Sequence, residues 1–209
     1  MRVGVFGGAF DPVHYGHLIL AEQCREQAAL EQVWFVPAAR HPFKSDPAGT
    51  PFERRSEMLR LAIAGNPNFT VNEIEKDRPG PSYTADTLEA LRERHPDAEL
   101  HFLLGSDSLP DLPKWRSPER IVAAAALVIM ERPGHSPMSA DDLRAAMGLP
   151  ADGTLRMTVV DAPLIDLASR DIRRRIAAGR SVRYMLPRAV EVYIEEKGLY
   201  RGGRSAEQQ

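Results

Sequence analysis

At 209 residues, with 43% hydrophobic and 27% charged side chains, the chain has a globular balance. That excludes a disordered polymer, a collagen and a disulfide scaffold. Lys+Arg 27 against Asp+Glu 29 leaves a formal net charge of -2, so no global basic field invites nucleic acid and any basic chemistry must be local. The one cysteine, Cys24, cannot close an internal disulfide. With Leu20, Ala21 and Ala28 at helical spacing, it reads as a buried packing thiol rather than a nucleophile. Without a long apolar run or a signal peptide, the default expectation is no membrane partner and a reducing, cytoplasmic setting.

Apolar runs and helical patterns alternate along the chain. Residues 2–6 read as a buried strand ending in Gly7-Gly8, and 17–29 as a helix. Residues 33–36 form a second strand stopped by Pro37, followed by a polar loop over 38–51. A helix at 52–64 stops at Gly65-Asn66-Pro67. A third strand, 69–74, precedes a turn at 77–81 and a helix at 84–94. Strand 99–104 runs into Gly105; a short helix at 118–124 leads into strand 126–130, closed by Arg132-Pro133-Gly134. Residues 135–153 look like an insertion or surface loop with a helical turn or two at 141–147. A last strand, 156–160, is followed by helices at 171–178 and 188–196. The alternation predicts an α/β fold: a doubly wound parallel sheet in one domain, 1–201, with a small C-terminal helical segment and a flexible tail over 202–209. Such sheets bind ligands beyond the carboxyl ends of their strands, where every candidate motif falls.

The first candidate is Gly7-Gly8-Ala9-Phe10-Asp11-Pro12-Val13-His14-Tyr15-Gly16-His17. It is neither a dinucleotide fingerprint nor a P-loop. Two adjacent glycines let a ligand approach the backbone, and His14 and His17 are spaced to face one side of a starting helix. Helix amides with two imidazoles make a compact anion site. The alternative is a loop with two surface histidines; two close ligands are too few for zinc. The second candidate is Asp166-Leu167-Ala168-Ser169-Arg170-Asp171-Ile172-Arg173-Arg174-Arg175. Ser169 is placed to cap the helix, and Arg173, one turn on, to grip a phosphate held by its amides. Arg174 and Arg175 read as a solvated face.

Residues 7–18 resemble the GG-[TS]-FDP-x-H-x-GH-L signature of the nucleotidyltransferase superfamily, and 167–173 its second signature, I-S-S-T-x-I-R. Three further stretches resemble the bacterial nicotinate mononucleotide adenylyltransferases: Gly80-Pro81-Ser82-Tyr83-Thr84-Ala85-Asp86-Thr87-Leu88, Gly105-Ser106-Asp107-Ser108-Leu109 and Pro113-Lys114-Trp115. Arg132-Pro133-Gly134 and Gly198-Leu199-Tyr200 are similar as well, so the likeness spans residues 1 to about 201 in order. The departures are Ala9 for Thr, Ala38 and Phe43 in the loop motif that keeps Lys44, Ala168 and Arg170 for two hydroxyl residues, and Arg116 where an aromatic can occur.

The resemblance implies a Rossmann-like nucleotidyltransferase fold and the joining of ATP and nicotinate mononucleotide into nicotinate adenine dinucleotide and pyrophosphate, in NAD biosynthesis. It implies a catalytic set of His14, His17, Lys44 and Arg173. ATP contacts would come from Gly7, Gly8, Phe10, His14, His17, Gly105, Asp107, Arg132, Ser169, Ile172 and Arg173. The mononucleotide would meet Ala9, Phe10, Lys44, Tyr83, Thr84 and Trp115. Trp115, between Pro113 and Pro118, could also be a plain packing residue, and Asp107 a helix cap. The attacking phosphate oxygen is already anionic, so the chemistry is positioning and electrostatics, with Mg²⁺ carried on the triphosphate rather than in a protein cage. Rival readings are another superfamily member, such as a pantetheine-phosphate adenylyltransferase or a cytidylyltransferase, and a nucleotide-sensing protein that keeps the fold without turnover. Oligomeric state is left open, a homo-oligomer included.

Overall fold

The computed structural model describes residues 1–39, 49–131, 138–150, 155–163 and 165–201. In chain order the elements are β1 (Arg2–Gly8), α1 (Tyr15–Gln27), β2 (Gln32–Pro37), α2 (Phe52–Ile63), β3 (Phe69–Val71), α3 (Thr84–Arg94) and β4 (Glu99–Gly105). A 3₁₀ helix (Leu109–Lys114) follows, then α4 (Pro118–Ala124), β5 (Ala126–Met130), α5 (Ala140–Ala146), β6 (Met157–Val160), α6 (Ser169–Ala177) and α7 (Arg188–Glu196). The strands form one parallel sheet in the order β3-β2-β1-β4-β5-β6. The chain winds outward from β1 to β3, crosses back to β4 and winds the other way, so the topological switch lies between β1 and β4. The expected doubly wound α/β fold is therefore present. Among the described residues no helix is long and apolar enough to cross a membrane.

Burial on both faces explains the unbroken apolar strands. In β2, Val33 and Phe35 face a core with Cys24, Met58, Ile172 and Val190, while Trp34 and Val36 face another with Leu88, Leu91, Leu109 and Ile121. β4 and β5 alternate in the same way, Leu103 and Val128 to the first core, Phe102 and Leu127 to the second. β3 ends at Val71 rather than 74, because the Asn72 side chain accepts the Ile74 N–H at 3.1 Å and turns the chain out of the sheet. α1 begins at Tyr15, two residues before the expected start. The tail expected over 202–209 and much of the 135–153 segment lie outside the described residues; α5 carries the helical turns anticipated within that segment.

One side chain fastens the ligand end of this sheet. Arg55 on α2 is only 7% exposed. Its Nη1 donates to Ala9 O at 2.7 Å, its Nη2 to Ala38 O at 2.7 Å and its Nε to Thr50 O at 3.0 Å. Burial lowers its pKa, and the charges of Asp11, Glu53 and Glu75 oppose that. One guanidinium thus joins the loops leaving β1 and β2 to the start of α2.

Arg55→Met should lower unfolding stability by about 3 kcal/mol or more in urea titrations, since it deprives several buried carbonyls of donors at about 1–3 kcal/mol each. Cys24 is wholly buried, and burial pushes its thiol up to about 12. It should be inert to a thiol-specific disulfide reagent in the native protein and titrate as one thiol per chain after unfolding.

Candidate active site

The first turn after β1 carries the histidines. Phe10 sits at φ 49°, in the left-handed region, and folds its ring back into the core, 2% exposed. That ring lies 5.1 Å from the His17 ring and 5.7 Å from Phe35. A Cβ at Gly8 would stand 3.0 Å from Phe10 Cζ, so the second glycine makes room for this packing. His14 is the residue before α1, and His17 lies in its first turn. Their rings stack at 3.7 Å between centroids, 29° apart. The His14 N–H donates to His17 Nδ1 at 3.2 Å, which in a neutral imidazole leaves the His17 proton on Nε2, a donor suited to an anion. A Cβ at Gly16 would stand 3.0 Å from His14 Nδ1, which explains a glycine between the histidines.

Helix amides contribute less here than expected. The Tyr15 N–H donates to Met185 O at 3.1 Å, and the His17 N–H to His14 O at 3.0 Å. An anion placed at the start of α1 would therefore meet chiefly the imidazoles.

α6 closes on the same loop. Ser169 is the first helical residue, not the cap; Ala168 occupies that position. Instead of capping, Ser169 Oγ donates to Pro12 O at 2.9 Å. Arg173 Nη1 donates to Asp11 O at 2.6 Å. Arg173 therefore stands beside the histidine loop, holding it with one nitrogen while its other N–H groups can serve a phosphate. Tyr200 OH donates to Asp11 Oδ1 at 2.5 Å; burial and that carboxylate raise its pKa and keep it a donor. Ile172 is wholly buried, and its N–H bonds to Ala168 O at 3.1 Å. Its side chain packs α6 onto the core rather than touching a nucleotide. Phe10, by the same measure, supports His17 through its side chain and can meet a ligand only through its backbone. Arg170 is exposed, in line with a replaceable hydroxyl position.

On the other face of the sheet a cavity of about 550 Å³ opens beyond β1 and β4. Gly7, Gly8, Ala38, Glu75, Tyr83, Thr84, Trp115 and Arg116 are among its lining residues. A Cβ at Gly7 would meet only Phe102 Cε2, at 4.0 Å, so packing does not require glycine there and the space lies open to a ligand. Tyr83 precedes α3 and Thr84 begins it. Trp115 packs edge-on against Phe102 at 6.2 Å. Gly105 ends β4 opposite Met130 of β5, and Asp107 is exposed in the turn that follows, where Ser108 N–H returns to Gly105 O at 3.0 Å. Asp86, an acid near the start of α3, is paired with Arg120 at 2.9 Å. The structure thus gathers Gly7, Gly8, Tyr83, Thr84 and Trp115 around one cavity, and His14, His17, Ser169 and Arg173 around the adjoining loop. Lys44, Phe43 and Arg132 lie outside the described residues. Among the described residues no group of three His, Cys, Asp or Glu could hold a metal ion.

Two residues that shape the site belong to no motif. One is Arg55, whose only signal is a charge on the apolar face shared with Met58 and Leu59. The other is Glu75, a buried carboxylate on the cavity wall. It accepts the Ala39 N–H at 3.1 Å and the Thr87 hydroxyl at 2.6 Å, joining the exit of β2 to the first turns of α3. No local pattern announces it.

The cytidylyltransferase-like family model matches residues 5–175. A Thermus thermophilus protein named "probable nicotinate-nucleotide adenylyltransferase" is 47% identical over 201 residues, covering 96% of this chain and 100% of its own. A Thermomicrobium roseum protein of the same name is 46% identical over 200 residues, 96% and 92% of the two chains. Among solved structures, Plasmodium falciparum nicotinic acid mononucleotide adenylyltransferase complexed with NaAD superposes with a TM-score of 0.77 at 21% identity, covering 95% of this chain and 97% of that one. The structural likeness confirms the fold, and the sequence relatives carry the family. The chain belongs to the nicotinate-nucleotide adenylyltransferases, within the cytidylyltransferase-like family.

Proposed function

We propose that this chain joins ATP and nicotinate mononucleotide, releasing pyrophosphate and nicotinate adenine dinucleotide for NAD biosynthesis. One observation carries most weight: Gly7-Gly8 floor a cavity that reaches Tyr83, Thr84 and Trp115, while the loop they begin carries the stacked histidines. A mononucleotide in the cavity and a triphosphate against the loop would meet at these glycines. The mononucleotide phosphate oxygen attacks the α-phosphorus of ATP in line; the bond to the β-phosphate bridging oxygen breaks, and pyrophosphate leaves with that electron pair. No covalent intermediate forms and no base is required, because the nucleophile is already an anion.

His14, His17, Arg173 and the first amides of α6 supply donors where the leaving pyrophosphate gathers charge. Lys44 and Arg132 keep the roles that the resemblance implies, near the reacting phosphates and beside the adenine. Asp107 at the switch point suits a ribose contact. The phosphate-side donors fit an anion rather than a bare cation, so Mg²⁺ belongs with the triphosphate. When bound, it would offset charge on the phosphates. The family chemistry and the absence of a long apolar helix among the described residues support a cytoplasmic enzyme.

Pyrophosphate release with ATP and a panel of mononucleotides tests the reaction; turnover of nicotinate mononucleotide is expected, and its absence would rule the reading out. The acid should be favoured over its amide by about thirty- to a thousandfold in kcat/KM, since α3 begins at Thr84 with its first amides outside the helical ladder and Asp86 is neutralised by Arg120. His17→Ala should lower kcat by roughly 10²–10³, and near wild-type turnover by the folded variant would remove the residue from catalysis. Arg173→Lys should impair ATP use markedly, because a point charge cannot both hold Asp11 O and fork onto a phosphate. Arg170→Ala should be mild, and the reverse order of severity would displace the motif.

A further inference from the structure

Arg116 lines the same cavity as Tyr83, Thr84 and Trp115. Its Cζ lies 4.4 Å from the centroid of the Tyr83 ring, well inside the range of cation–π attraction. Tyr83 is also the residue that precedes α3, so the guanidinium packs on a side chain carried at the start of that helix.

The carboxylates of Asp86, Glu89, Asp111 and Glu75 are engaged elsewhere. Asp86 and Glu89 pair with Arg120, Asp111 pairs with Lys114 at 2.8 Å, and Glu75 accepts from Ala39 and Thr87. Among the described residues, none of these acids is matched to Arg116. Its backbone is also well held: the Trp115 N–H bonds to Leu112 O at 3.1 Å, Ser117 takes φ 53°, and Pro118 opens α4. A flat donor thus stands against Tyr83 on the cavity wall.

We propose that Arg116 is a specificity-determining residue, reading the carboxylate of the pyridine ring through its N–H donors while Tyr83 supports its face. The proposal rests on the function proposed above and extends it, since it makes acid recognition depend on a side chain as well as on the start of α3. Arg116 is exposed, so a charge-assisted bond from it should be worth a modest factor, because solvent screens it.

The test measures kcat/KM for the acid and the amide mononucleotides, with Kd for both by calorimetry, in wild type, Arg116→Ala and Arg116→Phe. The acid-to-amide ratio should fall about three- to thirtyfold in Arg116→Ala, mostly through KM for the acid. Arg116→Phe restores an aromatic neighbour for Tyr83 without charge, so its ratio should stay low. An unchanged ratio in Arg116→Ala overturns the proposal. An equal fall for acid and amide also overturns it, by assigning Arg116 to the shared phosphate, and recovery in Arg116→Phe assigns it to packing. If the wild type binds the acid selectively without turning it over, the reaction fails while the Kd ratios still decide Arg116. If it binds the two alike, the proposal is overturned directly.

Discussion

A loop whose backbone carbonyls lie inside the protein must be given donors, and the ligand end of this fold depends on how that is done. Between Gly8 and His14 the carbonyls of Ala9, Asp11 and Pro12 accept from Arg55, Arg173 and Ser169. None of these donors is local: they lie 46, 162 and 157 residues along the chain from the carbonyls they serve. Each bond contributes modestly, but leaving a buried carbonyl unpaired is costly. The loop that carries the histidines therefore takes its shape only when α2 and α6 have docked. Arg55 adds Ala38 O and Thr50 O to the same clamp, so the exit of β2 moves with the exit of β1.

The sheet divides the work between its faces. Phe6, Phe10 and Phe35 build an aromatic floor beneath His17 on the α1 side. Val5, Phe102 and Leu88 line the cavity on the α3 side. Gly7 and Gly8, at the end of β1, line the cavity and lead directly into the histidine loop. The reaction proposed above would gain from such fixed geometry, since preorganised donors need not reorganise during the reaction.

Charge is distributed to match. Arg120 neutralises Asp86 and Glu89, acids that would otherwise weaken the positive end of α3. Glu75 lies on the cavity wall, yet both its oxygens accept protein hydrogen bonds. The Thr87 hydroxyl it engages also receives a bond from Arg78 at 2.8 Å, which brings a compensating cation to the buried carboxylate. The cavity thus holds acidic groups without presenting them unpaired to an anionic substrate.

Local signals were enough for much of this architecture. Thr84 and Pro118 open helices, α7 ends just before Gly198, and the apolar runs of β4 and β5 mark strands buried on both sides, all visible in stretches of fewer than fifteen residues. The two-histidine spacing and the glycines before it were equally legible, because close approach and a shared helix face are short-range properties. Other residues took their roles only from packing. Ile172 and Phe10 lie within binding motifs yet bury their side chains in the core, Ser169 ties Pro12 instead of capping its helix, and Arg55 is an internal clamp on what looks like a surface helix. Sequence spacing limits which side chains can share a face, but it does not say which distant carbonyl will need a donor. That is settled when helices far apart in the chain pack against the same loop and exclude water from it.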